Sequence, residues 1–243
     1  PENSDKTMNS NEPHVTGHIS KRFDQELEEI RNQVLSMGGL VETQVNNGIK
    51  ALIESDSALA AKVVKKDHKV NRMEVDIDEQ CVQILARRQP AASDLRLLVA
   101  IIKTITDLER IGDQAEKLGR HQLELTDAGF SSDTFVQLER LGELDRKMLH
   151  DSLDAFARMS VEDAKQTHAM DKKVNKEFDG LTRQLITHMM EDPRTIKQAL
   201  RVSWNIRALE RIGDHAKNIC EYVIYLVLGK NVRHLDLDAV EED

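Results

Sequence analysis

Very little in this chain bends, crosslinks or stacks. Only 4 Pro and 11 Gly occur in 243 residues, and aromatic side chains make up 3%. So few breakers exclude a turn-rich sandwich or barrel, which needs a turn signal every ~10 residues. The two cysteines, Cys81 and Cys220, share no CxxC spacing and lie in apolar surroundings. That excludes a disulfide framework or a thiolate zinc site and leaves two buried free thiols. A basic excess is missing too: 34 Lys and Arg stand against 43 Asp and Glu, a formal charge of −9. A generic nucleic-acid footprint is therefore excluded. The longest pure apolar runs, Leu97–Ile102 and Tyr222–Leu228, fall far short of the ~20 residues a membrane span requires. No GxGxxG or GxxxxGK[ST] run supports a nucleotide site. The polar stretch Pro1–His14 has neither the basic nor the apolar region of a signal peptide. Residues 1–18 are expected to be disordered, and 231–243 to be an acidic tail.

What is there is an aliphatic, helix-forming chain, 40% hydrophobic. Phe23, Leu27, Ile30, Val34, Met37, Val41, Val45, Ile49 and Leu52 alternate steps of three and four, the seam of a bundle helix over about Ser20–Glu54. Ser55 or Asp56 caps a second helix that Pro90 stops, and Ser93 caps a third ending near Thr126. The Gly/Ser/Asp cluster Asp127–Asp133 divides the chain into halves, 19–127 and 133–230. A fourth helix spans about Thr134–Met159. Ser160 with Asp163 opens a fifth like a capping box, and Asp192-Pro193 opens a sixth that Gly229 ends near Leu228. Short connections make neighbours antiparallel. The expected fold is all-α: two pseudo-repeated antiparallel three-helix bundles side by side, six long helices and essentially no strand.

The halves repeat each other. Leu108-Glu109-Arg110-Ile111-Gly112-Asp113 returns as Leu209-Glu210-Arg211-Ile212-Gly213-Asp214, and Asp67-His68-Lys69-Val70-Asn71 is echoed by Asp171-Lys172-Lys173-Val174-Asn175. Such self-similarity marks a duplicated supersecondary unit. The apolar seam Leu95, Leu98, Ile102, Ile105 continues in register into Glu109, Asp113 and Glu116; Leu200, Ser203 and Ile206 or Arg207 lead likewise to Glu210 and Asp214. Asp67, Asn71, Glu74 and Asp78 form a row on the second helix, whereas the fifth keeps Asp171 and Asn175 but has Phe178 where Glu74 would fall. Residues four apart share a helix face, so these oxygen rows can oppose each other across antiparallel partners. Facing acids in a partly dry seam repel and lose hydration, and so require protons or cations. All-oxygen donors suit Mg, Mn, Ca or Fe better than a thiolate zinc site. The plainer alternative is a solvated face, with Arg110 and Lys117 pairing the acids for little energy.

Other chemistry is thinly signalled. None of the 9 His stands in an ExxH or HExxH arrangement, which argues against a di-iron oxidase or a zincin. His215 reads as a surface residue, His150-Asp151 as a weak phosphohydrolase signal, and Gly112 and Gly213 as small residues permitting close packing or metal access. Arg87, Arg88 and Arg96 could bind an acidic partner or phosphate, though a solvated turn explains them as well. A carboxylate-bridged metalloenzyme or metal-storage bundle stays open as an alternative, as does a dimerising scaffold whose acids face water.

The doubled LERIGD, the DxxVN on each preceding helix, and the turn Ala86-Arg87-Arg88-Gln89-Pro90…Ser93-Asp94-Leu95-Arg96 resemble the PhoU family of phosphate-regulon regulators, over about Ile19–His234. The resemblance implies a cytoplasmic, non-catalytic, often dimeric protein, peripheral to the membrane at most. It implies metal clusters of divalent or trivalent ions (Fe, Mn, Mg or Zn) bound through paired E/DxxxD motifs. Transferred by position, one cluster uses Asp67, Asn71, Glu109 and Asp113, and the other Asp171, Asn175, Glu210 and Asp214. Asn71 and Asn175 replace the family's Asp, which keeps a carbonyl oxygen but removes one negative charge per site. The implied partners are the phosphate ABC transporter ATPase and a sensor histidine kinase, with repression of the phosphate regulon when phosphate is plentiful.

Overall fold

Long heptad-like apolar stripes with few breakers produce long helices, and the computed structural model, which describes residues 15–124 and 132–233, contains little else. The elements are α1 (Val15–Ile53), α2 (Ser57–Arg88), α3 (Ala92–Glu124), α4 (Ser132–Arg158), α5 (Val161–Ala169), α6 (Asp171–Glu191) and α7 (Ile196–Leu228), with one 3-10 turn at Pro193–Thr195. No strand occurs among the described residues. None of their helices is long and apolar enough to cross a membrane.

The turns follow the expected chemistry. Asp56 caps α2 by accepting the Leu59 N–H at 2.9 Å. Gln89, at φ 46°, closes that helix in the left-handed region just before Pro90. Ser160 accepts the Asp163 N–H at the start of α5, and Asp192 accepts the Arg194 N–H ahead of α7. Gly229, at φ 69°, ends α7 by donating to the Tyr225 carbonyl. These partners satisfy backbone groups that a helix end otherwise leaves orphaned.

Three details depart from expectation. The fifth helix is split in two at Met170, whose N–H bonds the Thr167 carbonyl three residues back and tightens one turn. Ser93 lies inside α3, not at its cap: the helix begins at Ala92, and the Leu95 N–H already reaches the Ala91 carbonyl at 2.8 Å. Helix also begins at Val15, inside the segment expected to be disordered and ahead of the expected start near Ser20. Most of the Asp127–Asp133 joint and the tail beyond Arg233 lie outside the described residues, as do residues 1–14.

Each half packs its first, second and third helices as a bundle, but the halves do not merely touch. α3 lies along α7 as extensively as along α2, and α1 crosses α4, so one apolar core runs through both halves. The crossing obeys a local two-fold relation. A Cβ on Gly38 would meet Leu153 at 2.8 Å, and one on Gly142 would meet Ile49 at the same distance. These pairs are equivalent under the displacement that carries Val70 to Val174. Packing α3 and α7 on several sides broadens their buried face: Leu98, Ile101, Ile105, Leu108, Ile111, Ala115 and Leu118 on α3, matched by Ala199, Val202, Ile206, Leu209, Ile212, Ala216 and Ile219 on α7. The seam drawn from Leu95 and Leu200 is therefore displaced. Those two residues, in the first turns, are 43% and 44% exposed, and the acids stand at the edge of the core stripe, not within it.

Candidate functional site

The carboxylate rows face each other at that edge. In the first half Asp67 and Glu74 on α2 oppose Glu109, Asp113 and Glu116 on α3. Asp67 Oδ2 accepts from Asn71 Nδ2 at 3.2 Å. Its other oxygen and the Asn71 carbonyl oxygen are buried with no hydrogen-bond partner. Burial, and then the charge of Asp113 across the seam, raise the Asp67 carboxyl above its ordinary value. Burial followed by Asp113, Glu74 and Asp67 does the same to Glu109, and burial with Asp78 to Glu74. Glu116 is drawn aside by an ion pair with Arg120.

The second half is built differently despite the shared motif. Asp171 is buried; its Oδ2 accepts from Asn175 Nδ2 at 3.1 Å and from Lys217 Nζ at 2.8 Å, while Oδ1 has no partner. Lys217 occupies the repeat position that Glu116 holds in the first half. Asp214 and Asn175 are exposed, and Glu210 is half-buried. Burial is the main cause raising both Glu210 and Asp214; the next is Asp214 for the former and Asp171 for the latter. The four motif residues of each half thus lie along facing helices, yet among the described residues no three His, Cys, Asp or Glu side chains gather into an ion-holding group. In these rotamers the rows are open. The unpartnered buried atoms on motif residues, Asp67 Oδ1, Asn71 Oδ1 and Asp171 Oδ1, are all oxygen acceptors. Acceptors can be satisfied only by donors or cations, so the donor set fits a hard metal ion.

Two carboxylates escaped the sequence reading. Asp145 on α4 is fully buried, and neither of its oxygens has a partner. Aligning Gly38 with Gly142 would have shown it, because the register then sets Asp145 opposite the core residue Val41. Asp107, 2% exposed on α3, accepts from His215 Nδ1 at 2.7 Å, Asn218 Nδ2 at 3.3 Å and Tyr222 Oη at 2.7 Å, all on α7. His215, expected at the surface, is thereby turned into the interface between halves. Its Nδ1 carries the proton, since a carboxylate only accepts. The second copy of the motif has Ala208 at the position of Asp107, so the duplication gave no hint.

Several features resolve plainly. Gly112 and Gly213 permit close approach: a Cβ on either would lie 3.3 or 3.1 Å from Cγ1 of Val70 or Val174. His150 donates to Glu42 on α1, and Arg88 forks onto Glu26 at 2.7 and 3.1 Å, so neither points at a phosphate. A cleft of about 340 Å³ between α4 and α5 lies off both seams. Its Lys147–Asp151 and Arg158–Asp154 pairs already neutralise one another.

Two acid-edged three-helix units fused through a common core define a duplicated helical bundle of carboxylate-seam type. A family model described as the PhoU domain matches residues 34–121 and again 138–223. The chain is 52% identical over 227 residues to a phosphate-specific transport system accessory protein PhoU homolog of Pseudomonas putida, covering 93% of this chain and 89% of that protein. It is 50% identical to the phosphate-specific transport system accessory protein PhoU of Escherichia coli K12, covering 93% of each. The crystal structure of PhoU from Pseudomonas aeruginosa superimposes with a TM-score of 0.83 at 51% identity, over 86% of this chain and all of that one. The phosphate transport system regulatory protein PhoU from Streptococcus pneumoniae gives 0.81 at 31% identity, over 88% and all. The chain belongs to the PhoU family.

Proposed function

We propose that this chain is a negative regulator of a bacterial phosphate regulon, the accessory protein through which a phosphate ABC transporter and its sensor histidine kinase are coupled. Identity of one half or more to phosphate-transport accessory proteins, over more than nine-tenths of the chain, is the observation that carries the reading. Membership of a regulatory, non-catalytic family sets aside the metalloenzyme and metal-store alternative. The work is done in the cytoplasm, by a homodimer, on the transporter ATPase and the kinase. Long helices with polar outer faces suit such docking.

The acid seams are metal sites in this reading. Asp67, Asn71, Glu109 and Asp113 hold one cluster, and Asp171, Asn175, Glu210 and Asp214 belong to the other. Orphaned buried oxygens and mutually raised carboxyls support it. The ions, drawn from Fe, Mn, Mg and Zn, neutralise charge and clamp α2 to α3 and α6 to α7. Deleting the gene is expected to derepress phosphate-starvation promoters in phosphate-rich medium. A plasmid copy restores repression, and a copy carrying Glu109→Gln and Asp113→Asn restores it only in part. Unchanged promoter activity in the deletion strain overturns the regulatory reading.

A further inference from the structure

The first turns of α7 leave large apolar groups in water on one side. Ile196, Leu200 and Trp204 follow at steps of four and so share a face of the helix. All three are exposed, Trp204 at 49%, while Ala199, Val202, Asn205 and Ile206 carry the core side. α6 lies antiparallel beside this stretch: Lys217 meets Asp171 at one end, and the Asp192 turn joins the two helices at the other. That register sets Ile186 and Met190 alongside Leu200 and Ile196, and they too are exposed, Met190 at 79%. Among the described residues the remaining exposed large apolar side chains, Val75, Val82, Leu95, Leu123, Val136 and Val227, are spread over α2, α3, α4 and the far end of α7. The repeat does not require this bulk. At the equivalent positions of the first half, Val82, Ala86 and Val99 stand where the second has Ile186, Met190 and Leu200, and Lys103 stands where it has Trp204. Gathered exposed apolar groups of this kind mark an interaction surface.

The sign of the charge changes at the same place. The chain carries −9 overall, yet residues 193–209 hold Arg194, Lys197, Arg201 and Arg207 and no Asp or Glu. Arg194 is paired with Asp192, and Arg201 donates to the Glu124 carbonyl. Lys197 and Arg207 stand exposed beside the apolar row, as does Arg183 one turn before Ile186. Beyond Arg207 the acidic seam begins with Glu210, which bounds the face. The Trp204 ring is fixed at this edge: it lies 5.8 Å from the ring of His121, whose Nδ1 donates to Asn205 Oδ1 at 3.0 Å.

We propose that this face seats the protein on an anionic lipid surface. Ile186, Met190, Ile196 and Leu200 enter the acyl boundary, and the indole lies at headgroup depth. Arg183, Lys197 and Arg207 reach the lipid phosphates on their flexible stems. Apolar groups rimmed by cations match acyl chains beneath phosphates in both respects at once. The contact is peripheral, because none of the described helices is long and apolar enough to cross a membrane. This role is additional to the regulatory one and uses neither carboxylate seam.

Trp204 is the chain's only tryptophan, so its fluorescence reports on this face alone. The full chain is titrated with vesicles of phosphatidylglycerol and phosphatidylcholine in equal parts, and with vesicles of phosphatidylcholine only. With the anionic vesicles the emission should move to the blue, acrylamide quenching should fall, and the protein should sediment with the lipid. Binding to phosphatidylcholine alone should be weaker by about tenfold or more. Ile196→Gln with Leu200→Gln keeps the reporter and should weaken binding by about tenfold or more. Arg183→Glu with Lys197→Glu should remove the preference for anionic vesicles. Val75→Gln with Val82→Gln, exposed on α2, should change nothing. All these positions are exposed, and circular dichroism checks that each variant keeps its helices. An unchanged Trp204 spectrum with anionic vesicles overturns the proposal, whether or not the protein sediments. Equal losses in the α2 control and the α7 pair overturn it too. A blue shift that appears on concentrating the protein without lipid assigns the face to a second copy of the chain and also overturns it.

Discussion

Adjacent glycines on α1 offer a test of the contact between halves. Gly39→Ala places a methyl group where nothing lies within 4 Å, whereas Gly38→Ala drives one to 2.8 and 2.9 Å from the two Cδ atoms of Leu153 on α4. Both substitutions gain the same helix propensity, about 0.8–1.0 kcal/mol relative to glycine. Only the second must displace a packed leucine, and overpacking of that kind costs about 1–3 kcal/mol. Gly39→Ala is therefore expected to raise stability by about 1 kcal/mol. Gly38→Ala should range from neutral to a loss of about 2 kcal/mol, the difference of those two quantities. The assay is urea unfolding followed by far-ultraviolet circular dichroism, with equal m-values required so that midpoints report stability. Gly142→Ala, which meets Ile49 at 2.8 Å, should reproduce the Gly38 result. If Gly38→Ala stabilises as much as Gly39→Ala, α1 and α4 do not approach as described, and the shared core is wrong.

Other outcomes follow from buried charge. Asp107→Asn removes a charge that holds His215, Asn218 and Tyr222 together across the halves. It should lower stability by about 1.5–3 kcal/mol, and a loss below about 0.5 kcal/mol would show that the network contributes nothing beyond shape. The seam acids Asp67, Glu74, Glu109, Glu210 and Asp214 have folded values raised above their ordinary ones. The stability they contribute is full below the unfolded carboxylate range and is lost as pH rises through their raised values. Metal-free protein should thus melt higher on acidification from neutrality toward the ordinary carboxylate range of about 4, with saturating Mn2+ flattening that slope. A flat profile in the metal-free protein would contradict the facing rows. The Cys81 thiol, buried and with its pKa pushed up to about 12, should resist iodoacetamide at pH 8 until the chain is unfolded. Rapid alkylation of native protein would place it at the surface.

Helix content, caps and the repeat were legible because each rests on local chemistry: Asp56, Ser160, Asp192 and Gly229 act on their own neighbours. The acid rows were legible through their spacing. Their depth was not, because the breadth of a helix's buried face depends on how many partners it has. One-sided packing would have placed Leu95, Ile102, Glu109 and Asp113 on the seam; the added contact of α3 with α7 rotated the core stripe toward Ile101 and Leu108. Asp107 and Asp145 were missed for a related reason. An acid inside an apolar stripe looks like a surface residue until its tertiary surroundings are known: Asp107 finds its donors on α7, and Asp145 is buried against α7 at Gly213.

The paired contacts of Gly38 with Leu153 and of Gly142 with Ile49 are those of two identical subunits about a dyad. Were the two halves separate identical chains meeting through that geometry, every substitution would appear on both sides of the axis. Joining the halves in one chain removes that constraint. Only then can valine at position 41 coexist with aspartate at 145, or glutamate at 116 with lysine at 217. Covalent fusion thus lets two inherited copies of one motif diverge in charge without giving up the symmetric contact that binds them.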